Sequence, residues 1–379
     1  MSSIGHDGST GKAVWSLALI ARNEEKTIGS VLDDASEFCD ELVVVDTGST
    51  DATVEIAKAH GATIHHFEWI DDFSQARNVS FDHCHGDWIV WLDADDRIPA
   101  AAVEGFQSLR AELDGSDAID GVMVPYRREF SEQDPTVCTF SFDRERVLRR
   151  EAGLRWVGPV HEVIALPVDR WIRWPKAWVE HRPLPGSWET KRDRNLLILD
   201  RAIKSGDRSP RTLFYYANEL RNHGRFKEAI VRYRQYLKVS DLEWEKYDAL
   251  LHVGACEGAL GRPEKRLEAF MAAIELDSRR AEAFNRVGAH FFEKREWQRA
   301  IPFFVAATAV DRPTDGFVND ADYTWLPWDY LAICLNECGR PEEALEHSMR
   351  ALLTTTDRKR LLDNIPFYLD KIAEQELES

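Results

Sequence analysis

Four strings in the C-terminal half, HGRFKEAI, LGRPEKRL, EKREWQRA and CGRPEEAL, place Gly224, Gly261, Arg295 and Gly339 at intervals of 37, 34 and 44 residues. Each follows one amphipathic helical stretch (residues 213–222, 249–260, 282–293 and 326–337) and begins another. A unit of helix, tight turn and helix cannot bury its apolar face alone, so such a chain must stack its units into one elongated helical core. The last interval is long because DRPTDGFVNDADYTW is inserted between units. A short closing helix is expected over residues 366–374, with Pro366 in its first turn.

The first half has a different rhythm. Apolar runs at residues 14–20, 42–45, 63–67 and 88–92 are short and bounded by turn residues. Helix-like stretches at 26–38, 52–60 and 73–82 separate them. Alternation of this kind predicts a mostly parallel, doubly wound α/β sheet, whose ligands bind beyond the carboxyl ends of the strands. The expected organisation is a flexible polar N-terminus over residues 1–12, a Rossmann-like domain over 13–190 and an all-α repeat domain over 191–379. Helix, turn and helix at about 34 residues resembles the tetratricopeptide repeat, which implies a solenoid with a concave groove.

Charge follows the same division. Of 48 basic and 66 acidic residues, 18 and 34 lie up to Thr190, a balance of −16; the remaining 30 and 32 give −2. That field disfavours nucleic acid as a partner and suits a domain that gathers carboxylates for a metal. No run approaches the roughly 20 apolar residues of a membrane helix. The six cysteines form no Cys-x-x-Cys pair, so the expectation is a cytosolic protein with reduced thiols.

Chemistry concentrates in three strings. In GDWIVWLDADDRI a buried strand delivers Asp93, Asp95 and Asp96 at its end; such a cluster repels itself unless a divalent cation neutralises it. Asp96 can equally be read as capping the next helix. In ELVVVDTGSTDAT, Asp46 ends a strand where it could meet a base or ribose, and Asp51 reads as a helix N-cap. Third, SLALIARNEE puts Arg22, Asn23, Glu24 and Glu25 directly after the first strand, and DDFSQARNVSF puts Arg77 and Asn78 on a helix upstream of the acidic strand.

Taken in order over residues 14–99, these motifs resemble the family 2 glycosyltransferases of GT-A type. The resemblance implies a nucleotide-sugar donor, usually a UDP-sugar, and Mn²⁺ or Mg²⁺ on its diphosphate. It implies Asp46 at the base, with Ala21, Arg22 and Glu24 lining that pocket, and Arg77 near the nucleotide. Asp93 and Ala94 would lie at the ribose or the metal's water shell, with Asp95 the direct metal ligand. Further along, DRERVLRREAGLRWVGPVHEVIAL and AWVEHRP resemble later parts of the family pattern. They suggest Glu162 as the general base of an inverting reaction and His181, with His161 as rival, as completing the metal site. Arg146 and Arg149 are read as phosphate contacts or as a solvated strand face.

This domain order is similar to bacterial and phage glycosyltransferases of diverse acceptors. The leading expectation is a protein or peptide acceptor docked by the repeats. Alternatives are a glycan, lipid-linked or, more remotely, DNA acceptor with the repeats as homodimer interface, or a scaffold without turnover. His83, Cys84 and His85 lack a second ligand cluster, and Cys334 and Cys338 read as core packing. Trp171, Trp174 and Trp178 read as a seam between two packed domains.

Overall fold

The computed structural model describes residues 12–116, 118–131, 134–164, 170–184, 187–313, 316, 318–355 and 358–378. The expected flexible N-terminus lies outside them apart from Lys12. Two compact units divide between Asp207 and Arg208. No helix among the described residues is long and apolar enough to cross a membrane.

In the first unit, the main sheet draws on β1 (Trp15–Ala21), β2 (Glu41–Asp46), β3 (Thr63–His66), β4 (Trp88–Asp93), β5 (Asp96–Arg97), β6 (Gly121–Phe130) and β7 (Cys138–Arg149). The short strands β8 (Trp156–Val157) and β9 (Val163–Ile164) pair only with each other, whereas β10 (Trp171–Arg173) and β11 (Val179–His181) return to the sheet. Strand order is β3-β2-β1-β4-β7-β6-β11-β5, with β10 beside β6. Strands β1 to β4 are parallel and β7 runs antiparallel to β4. The chain winds outward from β1 to β3 and then crosses to β4 on the other side of β1. That reversal opens a crevice at the carboxyl ends of β1 and β4, where ligands of such sheets bind.

Helices α1 (Ile28–Ser36), α2 (Thr53–Ala59), α3 (Phe73–Asp82), α4 (Ala100–Leu113) and α5 (Ser187–Lys204) complete this unit. Alternate residues of each central strand enter different cores. Leu17, Leu19, Val90 and Leu92 pack in a cluster with Ile28 of α1 and Phe106 of α4; Ala18, Ile89 and Trp91 pack in another with Phe81 of α3 and Trp156 of β8. A strand buried on both faces has no polar side, which is why these runs read as continuously apolar.

The tryptophans expected at a domain seam belong to the first unit's own packing. Trp171 joins the α3-side core, Trp174 and Trp178 the other. Helix α5 also falls in the first unit rather than beginning the repeats at residue 191. Its Arg194 lies over the Phe73 ring at 4.7 Å, and its Arg201 pairs with Asp71.

The second unit is a series of helical hairpins: α6 (Pro210–Asn222) with α7 (Phe226–Val239), α8 (Glu243–Ala259) with α9 (Pro263–Leu276), α10 (Ala281–Glu293) with α11 (Trp297–Thr308), and α12 (Trp325–Glu337) with α13 (Pro341–Thr354). Ala217, Gly254, Gly288 and Ala332 mark the same position on the first helix of each pair. A Cβ at Gly254 would lie 2.2 Å from Phe270, and one at Gly288 2.7 Å from Phe304. Each aromatic therefore fills the space where a side chain is missing, and both the glycines and the phenylalanines are 34 residues apart. The turns between paired helices hold Gly224, Gly261 and Gly339 at φ of 72°, 69° and 75°; Arg295 takes the same left-handed position at 57°.

The insert contributes a 3-10 turn, Asp320–Tyr323, tied to α10: Tyr323 Oη donates to Glu282 at 2.6 Å and Asn285 Nδ2 to the Asp322 carbonyl at 3.0 Å. The closing helix α14 spans Lys359–Glu378 and is longer than expected, with Pro366 inside it rather than in its first turn. Cys334 is core, as read from sequence, whereas Cys338 is only half-buried.

Candidate active site

The turns after β1 and β2 are clasped together. Asn23, in the left-handed region at φ 56°, accepts from Thr50 N at 2.8 Å, and its own N–H donates to Ser49 Oγ at 3.0 Å. Glu24 N donates to Thr53 Oγ1, and Ala52 N to Glu25 Oε2. Asp51 closes the turn before α2 by accepting from Thr53 N at 3.1 Å. The polar residues of both motifs thus hold one rim of the crevice in shape.

Asp46, at the end of β2, has a local task as well. Its carboxylate accepts from Gly48 N at 3.3 Å and Ser49 N at 3.0 Å, and lies 3.3 Å from His66 Nδ1. Burial alone would raise its pKa, but these hydrogen bonds outweigh burial and hold it below the usual carboxylate range.

A cleft of about 390 Å³ opens at the carboxyl ends of β1 and β4. Among the residues expected at the site, Ala21, Arg22, Glu24, Arg77, Asp93, Ala94, Asp95, His161, Glu162 and His181 all line it. Asp46 does not, its carboxylate being turned into its own Gly-Ser turn.

Arg77 organises the cleft floor. From α3 it donates Nη2–H to Asp93 and Nε–H to Glu162, both at 2.6 Å, and its guanidinium lies 4.9 Å from the Trp91 ring and 5.2 Å from the Trp156 ring. Burial alone would lower its pKa, but Asp93 and Glu162 push it above the usual range. Burial would likewise raise Asp93, yet Arg77, then Arg146, hold it well below normal. A depressed carboxyl stabilises the fold fully above about pH 4 and loses that contribution as pH falls. The stability advantage of the native chain over Arg77→Met should therefore shrink as pH drops from about 6 to 3, read by urea denaturation at each pH. A gap independent of pH would disprove the pairing.

Asp95, Asp96 and His181 offer ligand atoms within 4.8 Å of one another, and they are the only such metal-compatible group among the described residues. Local pairing brings them together: β5 bridges β11 antiparallel with His181 opposite Asp96, and Arg182 N donates to the Asp95 carbonyl at 2.9 Å. His181 Nδ1 is buried without a hydrogen-bond partner, 3.6 Å from both Asp95 Oδ1 and Asp96 Oδ1. That separation is too long for a hydrogen bond, and a buried imidazole nitrogen facing two carboxylates matches the oxygen and nitrogen donors that Mn²⁺ or Mg²⁺ takes. Asp93 and His161 line the same cleft outside this group.

Asp96 does not cap the following helix, whose N-cap is Pro99. It is fully buried, 3.1 Å from Arg146 Nη1, and accepts from Asp93 N at 3.0 Å and Tyr126 Oη at 3.1 Å. Arg146 is no solvated residue either: it is fully buried, donates to the Trp91 carbonyl and lies 3.7 Å from the Trp91 ring centre. Arg149 donates to the Ile119 carbonyl and covers Trp88. Cationic residues not singled out from the sequence also line the cleft: Arg128 on β6, Arg144 on β7 and Arg194 on α5. Register shifts at Arg146 and at Arg128 break the alternation of β7 and β6, so strand periodicity alone did not point to Arg144 and Arg128.

His83, Cys84 and His85 form no metal group: His83 stacks on His65 at 3.5 Å, Cys84 is buried, and His85 pairs with Glu41 at 2.9 Å.

Residues 16–156 match the family described as "Glycosyl transferase family 2". The chain is 34% identical over 175 residues to a TPR repeat-containing protein of Synechococcus elongatus, covering 44% of this chain and 41% of that one. It is 27% identical over 241 residues to the SPbeta prophage-derived glycosyltransferase SunS of Bacillus subtilis, covering 62% and 54%. It thus spans about half the length of the curated relatives it matches. Among solved structures it is similar to glucosyl-3-phosphoglycerate synthase from Mycobacterium tuberculosis, in complex with Mn²⁺, uridine diphosphate and phosphoglyceric acid, at 22% identity and a TM-score of 0.36 over 51% of this chain and 79% of that one. The stretch similar to the glycosyl transferase family 2 model, residues 16–156, is the one that carries the crevice, Arg77 and the acidic turn.

Proposed function

We propose that the first unit transfers a sugar from a nucleotide-sugar to an acceptor, with a UDP-sugar the donor its motifs suggest. The observation that carries this is the group of Asp95, Asp96 and His181, with its buried, unpartnered imidazole nitrogen, of which Asp95 and His181 line the cleft at the strand ends of the stretch similar to family 2 glycosyltransferases. Asp95 and His181 would hold Mn²⁺ or Mg²⁺, which when bound offsets the charge gained by the departing diphosphate. Arg128 and Arg144 add fixed positive charge to the same wall. Glu24 stands at the rim for the nucleoside, with Asp46 shaping the Gly48–Ser49 turn beside it.

Glu162 would take the acceptor's proton as its oxygen or sulfur attacks C1 from the face opposite the leaving diphosphate, which inverts the anomeric centre. Arg77 fixes the orientation of Glu162 and Asp93 together, so base and donor wall share one support. The helical hairpins favour a protein or peptide acceptor, since stacked repeats present an extended surface along which a chain can lie.

The test is a donor screen with UDP-, GDP- and dTDP-sugars and Mn²⁺, followed by intact-mass measurement of co-expressed candidate polypeptides. Release of one nucleotide and hexose or N-acetylhexosamine increments on a polypeptide are expected. No release with any donor would leave a scaffold without turnover; sugar gained only by glycan or lipid fractions would end the protein-acceptor reading.

A further inference from the structure

Helix α14 carries two apolar faces. Leu361, Ile365 and Tyr368 pack inward on the second unit. A second stripe, Leu362, Pro366, Leu369, Ala373 and Leu377, runs at i, i+4, i+7, i+11 and i+15 and is exposed, with Leu362 at 52%, Leu369 at 49% and Leu377 at 89%. Charge along the helix is also distributed unusually. Exposed Arg358, Lys359 and Arg360 stand at its start, where Lys359 also pairs with Asp363 at 2.9 Å and Arg360 with Asp329; exposed Asp370, Glu374 and Glu376 stand toward its end, with Lys371 the one base among them in the described residues. The first turn has no acidic residue and the last no basic one. This polarity opposes the helix's own dipole, so it costs the isolated helix stability.

Both features have one solution in common. We propose that α14 is a homodimerisation helix, two copies packing antiparallel through the Leu362–Leu377 stripe across a two-fold axis. Such an axis requires a self-complementary surface, and a basic start with an acidic end is complementary to itself only when the second helix runs the opposite way. With the axis between Tyr368 and Phe367, Lys359 falls opposite Glu376 of the second copy, Leu362 opposite Ala373, and Pro366 opposite Leu369. Leu362 and Leu369 then face the smaller Ala373 and Pro366, and Leu377 falls opposite the stem of Arg358. Antiparallel alignment also sets each helix's dipole against the other's, which removes the penalty of the charge order. One stripe of five residues is a small interface, so dissociation in the low micromolar range is expected. The proposal is independent of the activity proposed above.

Sedimentation equilibrium of the full chain tests it. Apparent mass should rise from 43.5 kDa toward twice that value across the micromolar range. Leu369→Glu, present twice in each interface, should weaken association about a hundredfold. Lys359→Glu and Glu376→Lys should each weaken it about tenfold, and the two together should restore it to within about threefold of the native value. All three positions are exposed, and an unchanged melting temperature serves as the folding control. Monomer mass at every concentration, a dimer indifferent to Leu369→Glu, or charge reversals whose effects merely add would each overturn the proposal.

Discussion

Asp95→Ala is expected to lower metal-dependent nucleotide release by about a thousandfold, the cost of removing a principal electrostatic stabiliser of a leaving group. The expectation rests on how the three members of the group are engaged. Asp96 is committed to Arg146, Tyr126 and the Asp93 backbone. It has little freedom to swing toward a cation when Asp95 is lost. His181 alone supplies one neutral nitrogen, too little to hold Mn²⁺ against water. His181→Ala, which leaves both carboxylates, should cost less, about ten- to a hundredfold. Calorimetric titration of Mn²⁺ into the chain with UDP present gives a readout apart from turnover. It should lose its signal in Asp95→Ala and weaken in His181→Ala, while Asp95→Asn keeps the native melting temperature. Full Mn²⁺ binding by Asp95→Ala would remove the metal assignment, and with it the reason to regard this cleft as a donor site.

The legible parts of this molecule were those written in local sequence. Central strands β1, β2 and β4 are apolar runs because both sheet faces are covered, and their ends appear within a residue or two of the structure. The repeat turns were marked by glycine at left-handed φ, and even Arg295, which breaks that pattern, was found by its spacing. What could not be read depended on pairing across long separations. Nothing local to Asp96 announces Arg146, fifty residues away, and a string of three acids at a strand end gives no sign that the third faces inward while the second faces the cleft. Asp46 shows the same limit in a smaller way: an aspartate beside Gly48 and Ser49 also closes its own turn, an engagement its place at a strand end does not announce. The boundary near residue 190 failed because α5 looks like the helices that follow it. Its contacts with residues such as Phe73 and Asp71, more than a hundred positions earlier, mark it as part of the first unit.

The buried pair beneath the acidic turn yields the largest expected stability effect. Asp96→Ala removes the carboxylate facing Arg146 and the acceptor for Asp93 N and Tyr126 Oη. Arg146 is fully buried, and its Nε and Nη2 have no hydrogen-bond partner among the described residues, so without Asp96 its charge keeps the Trp91 carbonyl, the aromatic rings and the attraction of Asp93, which Arg77 already pairs. Leaving one member of such a pair uncompensated costs about 3–5 kcal/mol, which for a unit of this size lowers the melting temperature on the order of 10 °C. Replacing both partners, Asp96→Leu with Arg146→Met, removes the stranded charge along with its neutraliser and should recover most of that loss. If the double variant is as unstable as Asp96→Ala alone, the pair is not the support of the turn. Activity separates support from chemistry: a double variant that regains its fold but not its Mn²⁺ affinity makes Asp96 part of the cation site, whereas one that regains both makes it the strut on which Asp95 is held.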